Sequence, residues 1–143
     1  MPRYLPFLTH AENRDLRETI YRAHVSRASD GDLDNRALIE EILSLRTEQA
    51  ARLGYRHWAD VSLAAKMADD VDAVEALLEE LRAAAFPAAE RELAELKACA
   101  ARQGAAEAET LAAWDVPYWS EQLRQERFDL DQEALRPWFP LPQ

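Results

Sequence analysis

Val71-Asp72-Ala73-Val74-Glu75-Ala76-Leu77-Leu78-Glu79-Glu80-Leu81-Arg82-Ala83-Ala84-Ala85-Phe86-Pro87-Ala88-Ala89-Glu90-Arg91-Glu92-Leu93-Ala94-Glu95-Leu96-Lys97-Ala98-Cys99-Ala100-Ala101-Arg102 decides the fold class. Alanine, leucine, glutamate and arginine dominate it, and these side chains lose least on entering a helix. Val74, Leu77, Leu78, Leu81, Ala85, Ala88, Leu93, Leu96 and Ala100 recur at three- and four-residue steps, the period of one helix face. Asp69-Asp70 stand where a cap belongs, and Gly104 follows where a helix ends. Pro87 is the one discordant residue. It deletes a backbone bond and crowds the preceding turn, at a cost of about 3 kcal/mol. The sequence therefore predicts a helix over 71–102 with a kink near Ala83–Pro87, or two helices meeting there.

Working outward, the same period recurs. Leu38, Ile42, Leu45, Gln49 and Leu53 predict a helix over 35–53, capped by Asp34 or Asn35 and ended by Gly54 with Tyr55 folding back. Leu16, Ile20, Ala23, Arg27 and Ala28 predict one over 11–28, broken by Ser29-Asp30-Gly31-Asp32. A short helix is expected over 58–67. Another is expected over 116–125, with Asp115 as its cap and Pro117 in its first turn. Pro2 and Pro6 point to an extended segment over 1–10. Asp131 is placed to cap a last short turn ended by Pro137, and the proline-rich end beyond it is expected to be irregular. No period-two alternation persists, so the fold class is all-α, read as a single segment over 1–143 without repeat or boundary.

The chain has 143 residues and a formal net charge of -10. An acidic surface repels a phosphate backbone, and no basic stripe offsets it, so nucleic acid is excluded as an expected partner. No run approaches the roughly 20 apolar residues of a membrane helix. Met1 to Leu8 is too short and too proline-broken for a signal peptide. Cys99 is the sole cysteine. It allows no intrachain disulfide and reads as a small helix residue with no base beside it. A soluble, cytoplasmic protein is the expectation.

Constellations that carry chemistry are missing. His10, His24 and His57 are far apart, and none pairs one helical turn away as in His-Glu-x-x-His. Glu40-Glu41 and Glu79-Glu80 are adjacent, so their carboxylates diverge and form no acid/base dyad. No phosphate-binding glycine loop or nucleophile elbow occurs. Two local clusters invite a closer look. Trp114-Asp115 with Tyr118-Trp119 would suit the wall of a peptide channel, and His57-Trp58-Ala59-Asp60 raises the same question. For both, anchoring of a helix to the core is the preferred reading.

Seven ordered segments go further than pattern. They are Tyr4-Leu5-Pro6-Phe7-Leu8 with Glu12 to Glu18; Tyr21-Arg22-Ala23 with Ser26 to Ser29; Asp34 to Arg46; Leu53-Gly54-Tyr55; Ser62 to Ala68; Trp114 to Glu121; and Leu135 to Pro142. In this order and spacing the chain resembles one contiguous stretch of the oligopeptidase A and thimet oligopeptidase family of zinc metallopeptidases. The resemblance implies a long, almost wholly helical parent. In it two lobes flank a channel for short peptides, with one zinc at the channel floor activating water and a motif glutamate as general base. It also implies that the stretch lies upstream of the zinc motif. No zinc ligand, catalytic glutamate or substrate-orienting tyrosine or histidine is carried over, so the expected catalytic, cofactor-binding and metal residues of this chain are none. Met1-Pro2 reads as a start imposed within a longer family chain. The expected function is that of an oligopeptidase fragment, inactive alone and binding no zinc. The alternative is a stand-alone helical interaction module. Ile39 and Leu43 off the main stripe, with Trp138, Phe139 and Leu141 at the end, predict exposed apolar surface and a tendency to self-associate.

Overall fold

The computed structural model describes residues 3–128 and Trp138. Six α-helices and two single turns of 3-10 helix occur in them, with no strand among the described residues.

Helix α1, Tyr4–His10, occupies the segment expected to be extended. Pro6 is its third residue, and the first-turn amides of a helix lack an intrahelical acceptor in any case, so proline costs nothing there. The ladder begins one residue later, where Phe7 N donates to the Arg3 carbonyl at 3.1 Å. Helix α2, Arg14–Val25, is shorter than the expected 11–28. Asn13 sets its start, accepting from Leu16 N at 3.1 Å. Beyond its end the backbone turns through Ala28, a non-glycine residue at φ 57. A 3-10 turn, Gly31–Leu33, follows.

Helix α3, Arg36–Arg52, matches its prediction closely. Of the two candidate caps it is Asp34 that serves, its carboxylate accepting from Arg36 N at 2.9 Å. Gly54, at φ 80, closes the helix. Tyr55 N reaches back to the Ala50 carbonyl at 2.9 Å and Gly54 N to that of Ala51 at 3.1 Å, the paired bonds of a left-handed glycine stop. Helix α4, Trp58–Leu63, stops short of the expected Met67. A tight turn ends it, with Lys66 N donating to the Leu63 carbonyl at 2.8 Å.

Helix α5, Val71–Arg102, runs unbroken, with Pro87 inside it. The option of two helices meeting at the proline is not what forms. Proline removes one N–H, and the bonds on either side hold the ladder together. Asp70 caps it, accepting from Ala73 N at 2.7 Å. After a second 3-10 turn, Ala108–Thr110, helix α6 covers Val116–Phe128 and so runs past the expected end at 125. The expected turn from Asp131 to Pro137, and Phe139 to Gln143, lie outside the described residues. Trp138 is 79% exposed.

The chain divides into two compact units. The first comprises residues up to Val25 and from Arg91 onward; the second is Ser26–Glu90. In the first unit α1 packs against both α2 and α6. Its core is Leu96, Cys99 and Ala100 of α5, Ala108 of the second 3-10 turn, and Trp119 and Leu123 of α6. In the second unit α3 packs against α4. Ala50 is its one buried apolar residue among those described.

The apolar stripe of α2 runs the other way from expectation. Leu16, Ile20 and Val25 are exposed, whereas Arg17 is buried. This helix turns Arg17, with Arg14 half-buried beside it, toward a buried carboxylate.

Candidate functional site

Arg14 and Arg17 stand three residues apart at the start of α2, a spacing that puts both on one face. Asp115 sits just before α6 and is 0% exposed, while Arg17 is 1% exposed. Arg14 grips the carboxylate with two nitrogens, Nε at 3.1 Å from both oxygens and Nη2 at 2.9 Å from Oδ2. Arg17 Nη2 donates to Oδ1 at 3.0 Å. Ala112 N donates to Oδ2 at 3.0 Å. Asp115 stands at the start of α6, its backbone carbonyl accepting from Trp119 N at 3.0 Å, while its carboxylate takes these donors. Arg17 also ties down the loop before its own helix, donating to the carbonyls of Ala11 at 2.8 Å and Glu12 at 3.1 Å.

Burial alone would raise the Asp115 carboxyl, because it penalises the charge. The Arg14 guanidinium, the Ala112 N–H and Arg17 outweigh that effect and hold it below the ordinary carboxylate value. An ionised carboxylate with its oxygens saturated and no accessible surface is a poor base and a poor nucleophile. What it can do is fix the α2 start against the α6 start by charge-assisted bonds.

The aromatic residues complete this bracing. The Arg17 guanidinium lies 4.3 Å from the Tyr118 ring centre. Tyr118 meets Trp119 edge-on at 5.2 Å, and Trp119 belongs to the core. Trp114 packs beside Tyr21 at 5.6 Å, with Arg22 at 5.0 Å from its ring. Thus the structure brings all four residues of the Trp114-Asp115-Tyr118-Trp119 cluster together, in an anchoring arrangement. Arg14 and Arg17 were not singled out from sequence. Their one signal is the three-residue spacing at a helix start, which any solvated pair shares.

The His57-Trp58-Ala59-Asp60 turn lies in the second unit. His57 Nδ1 is 3.5 Å and Arg56 Nε 3.4 Å from Asp60 Oδ2. Arg46 stands 5.4 Å over the Trp58 ring. A shallow recess of about 350 Å³ lies alongside, lined by Gly54, Tyr55, Arg56, Asp60, Leu63 and Asp70 among others.

The three histidines are dispersed. His24 stacks on Tyr4 with ring centres 4.0 Å apart, His57 faces Asp60, and His10 lies near enough to Glu121 to favour its charge. Among the described residues no three histidine, cysteine, aspartate or glutamate side chains converge as a metal site. Dispersed in this way, these residues do not fit a zinc ion. Glu79 is taken up by Arg82 on the surface of α5, at 2.6 and 2.7 Å. Cys99 is buried; its burial, and then the Glu126 carboxylate 3.4 Å away, push its thiol up and away from the reactive thiolate.

Comparison with known proteins places this scaffold. The model of peptidase family M3 matches residues 7–143. A probable cytosolic oligopeptidase A of Arabidopsis thaliana is 53% identical over 141 residues, covering 99% of this chain and 20% of that relative. Oligopeptidase A of Escherichia coli is 42% identical over 145 residues, covering 98% and 21%. Dipeptidyl carboxypeptidase of the same organism is 36% identical over 138 residues, covering 95% and 20%. The chain spans about a fifth of the length of the curated relatives it matches. It belongs to peptidase family M3.

Proposed function

We propose that residues 1–143 form one helical scaffold segment of a zinc-dependent oligopeptidase, an endopeptidase acting on short peptides in the cytoplasm, and that the segment alone neither binds zinc nor cleaves peptides. One observation carries this reading. Relatives named oligopeptidase A match nearly the whole chain while the match uses only about a fifth of their length. The charged bracing of Asp115 and the small apolar core belong to a scaffold, and the histidines among the described residues are paired or stacked on separate elements. No helix among the described residues is long and apolar enough to cross a membrane. In the complete peptidase, zinc would supply the activated water and short peptides would be the ligands. The exposed apolar residues further support a tendency of the isolated segment to self-associate.

The test is metal analysis of the purified chain together with a quenched-fluorescence peptide assay. The expected result is substoichiometric zinc and no cleavage above a buffer control. Stoichiometric zinc with chelator-sensitive cleavage would overturn the inactive-segment reading.

A further inference from the structure

We infer that α3 and the first half of α5 each present a docking face for the remainder of an M3 polypeptide, the part of the family chain outside the stretch matched here. The inference rests on the reading just given and names its partner. Residues 36–49 of α3 are exposed around the whole circumference, and so are residues 75–87 of α5. These are not polar helices. Leu38, Ile42 and Leu45 on α3 are 56%, 47% and 57% exposed; Leu77, Leu81 and Phe86 on α5 are comparably open. A solvent-facing helix carries one apolar stripe turned to a core, and most helical stability in proteins comes from packing that stripe. Apolar faces of this extent mark interaction surfaces.

Two observations choose the occupant. The chain covers only about a fifth of its relatives' length, so the other four-fifths of a family polypeptide is there to bury such faces. A second copy, to which the isolated segment turns when that remainder is absent, is the weaker competing occupant on grounds of charge. The chain carries a net charge of -10, and beside the α5 face Arg82 takes up Glu79 and leaves Glu75 and Glu80, so two copies would bring like charges together.

The experiment uses the full chain, tagged, co-expressed with the Arabidopsis relative from which the matched stretch has been deleted. Capture of that complement is expected. Leu38→Glu/Ile42→Glu and Leu77→Glu/Leu81→Glu should each weaken it by roughly 30-fold or more. Because all four positions are exposed, the helical circular dichroism of the chain alone should not change. Undiminished capture by both double variants overturns the docking surface while leaving the family reading intact. A concentration-dependent dimer that these variants dissolve, with no capture of the complement, assigns the faces to a second copy. No capture by a monomeric, sharply melting chain removes the peptidase-segment reading as well. A chimera of the relative carrying residues 1–143 in its own stretch covers the case of a complement that fails to fold. There the same substitutions should lower the melting temperature, and an unchanged value overturns the proposal.

Discussion

Replacing Asp115 by alanine deletes the single carboxylate shared by Arg14, Arg17 and the Ala112 amide. The two guanidinium groups fare differently. Arg14 keeps 35% of its side chain exposed and can turn to water, so its loss is small. Arg17 is 1% exposed and cannot. Its Nε already lacks a partner, so the variant leaves a buried cation bonded only to the Ala11 and Glu12 carbonyls. Breaking a buried ion pair on one side costs about 3–5 kcal/mol, and the orphaned Ala112 amide falls within that range. At about 2–4 °C per kcal/mol for a chain of this size, the melting point should fall by roughly 6–20 °C. The assay is urea and thermal unfolding at pH 7, read by circular dichroism and by tryptophan fluorescence, since Trp114 and Trp119 flank the site. Asp115→Asn keeps the shape and one acceptor oxygen, and should lie between the two. An alanine variant within about 1 kcal/mol of the parent would refute the claim that this cluster holds the first unit together.

Two further predictions follow from charge and backbone. Glu121, held down to about 2 chiefly by Arg124, binds fewer protons folded than unfolded; its contribution is present above the unfolded value of about 4.3 and is lost as pH falls toward 2. Glu121→Gln should therefore flatten the loss of stability between about pH 4 and pH 2 in urea titrations, and an unchanged acid limb would count against the assignment. Pro87 is exposed in mid-helix, so Pro87→Ala should stabilise α5 by up to about 3 kcal/mol, seen as a higher helical content and melting point; a lower melting point would mean that the proline is required where it stands.

The helices were legible because their ends are written in local chemistry. Asp34, Asp70, Gly54 and Gly104 act on neighbours within a few residues, and no tertiary knowledge is needed to place them. Pro6 misled because a proline's effect depends on its position within the helix, and that is set by Arg3 and Phe7 rather than by the proline itself. The Leu16–Ile20 stripe misled for a different reason. Periodicity finds an apolar face but does not say what the face meets, and in α2 a buried carboxylate about a hundred residues away draws Arg14 and Arg17 inward instead. Aromatic anchoring by Trp114, Tyr118 and Trp119 was expected. The ion-pair hub at its centre was not, because the identity of the partners depends on long-range packing. The family was legible in the ordered set of seven segments, each weak alone.

Helix α5 belongs to two environments along one continuous backbone. Its Leu96, Cys99 and Ala100 are enclosed with Trp119 and Leu123, so opening its hydrogen bonds there means opening the core of the first unit. From Glu75 to Pro87 every residue is exposed, so fraying on that side breaks only the ladder itself. Amide hydrogens before the proline should then exchange with solvent through local opening, while those near Cys99 exchange only with the cooperative loss of the core. One helix thus carries a gradient of protection. Pro87 ends the wholly exposed stretch, and its missing N–H leaves one gap in the ladder several residues before the enclosed positions begin at Leu96.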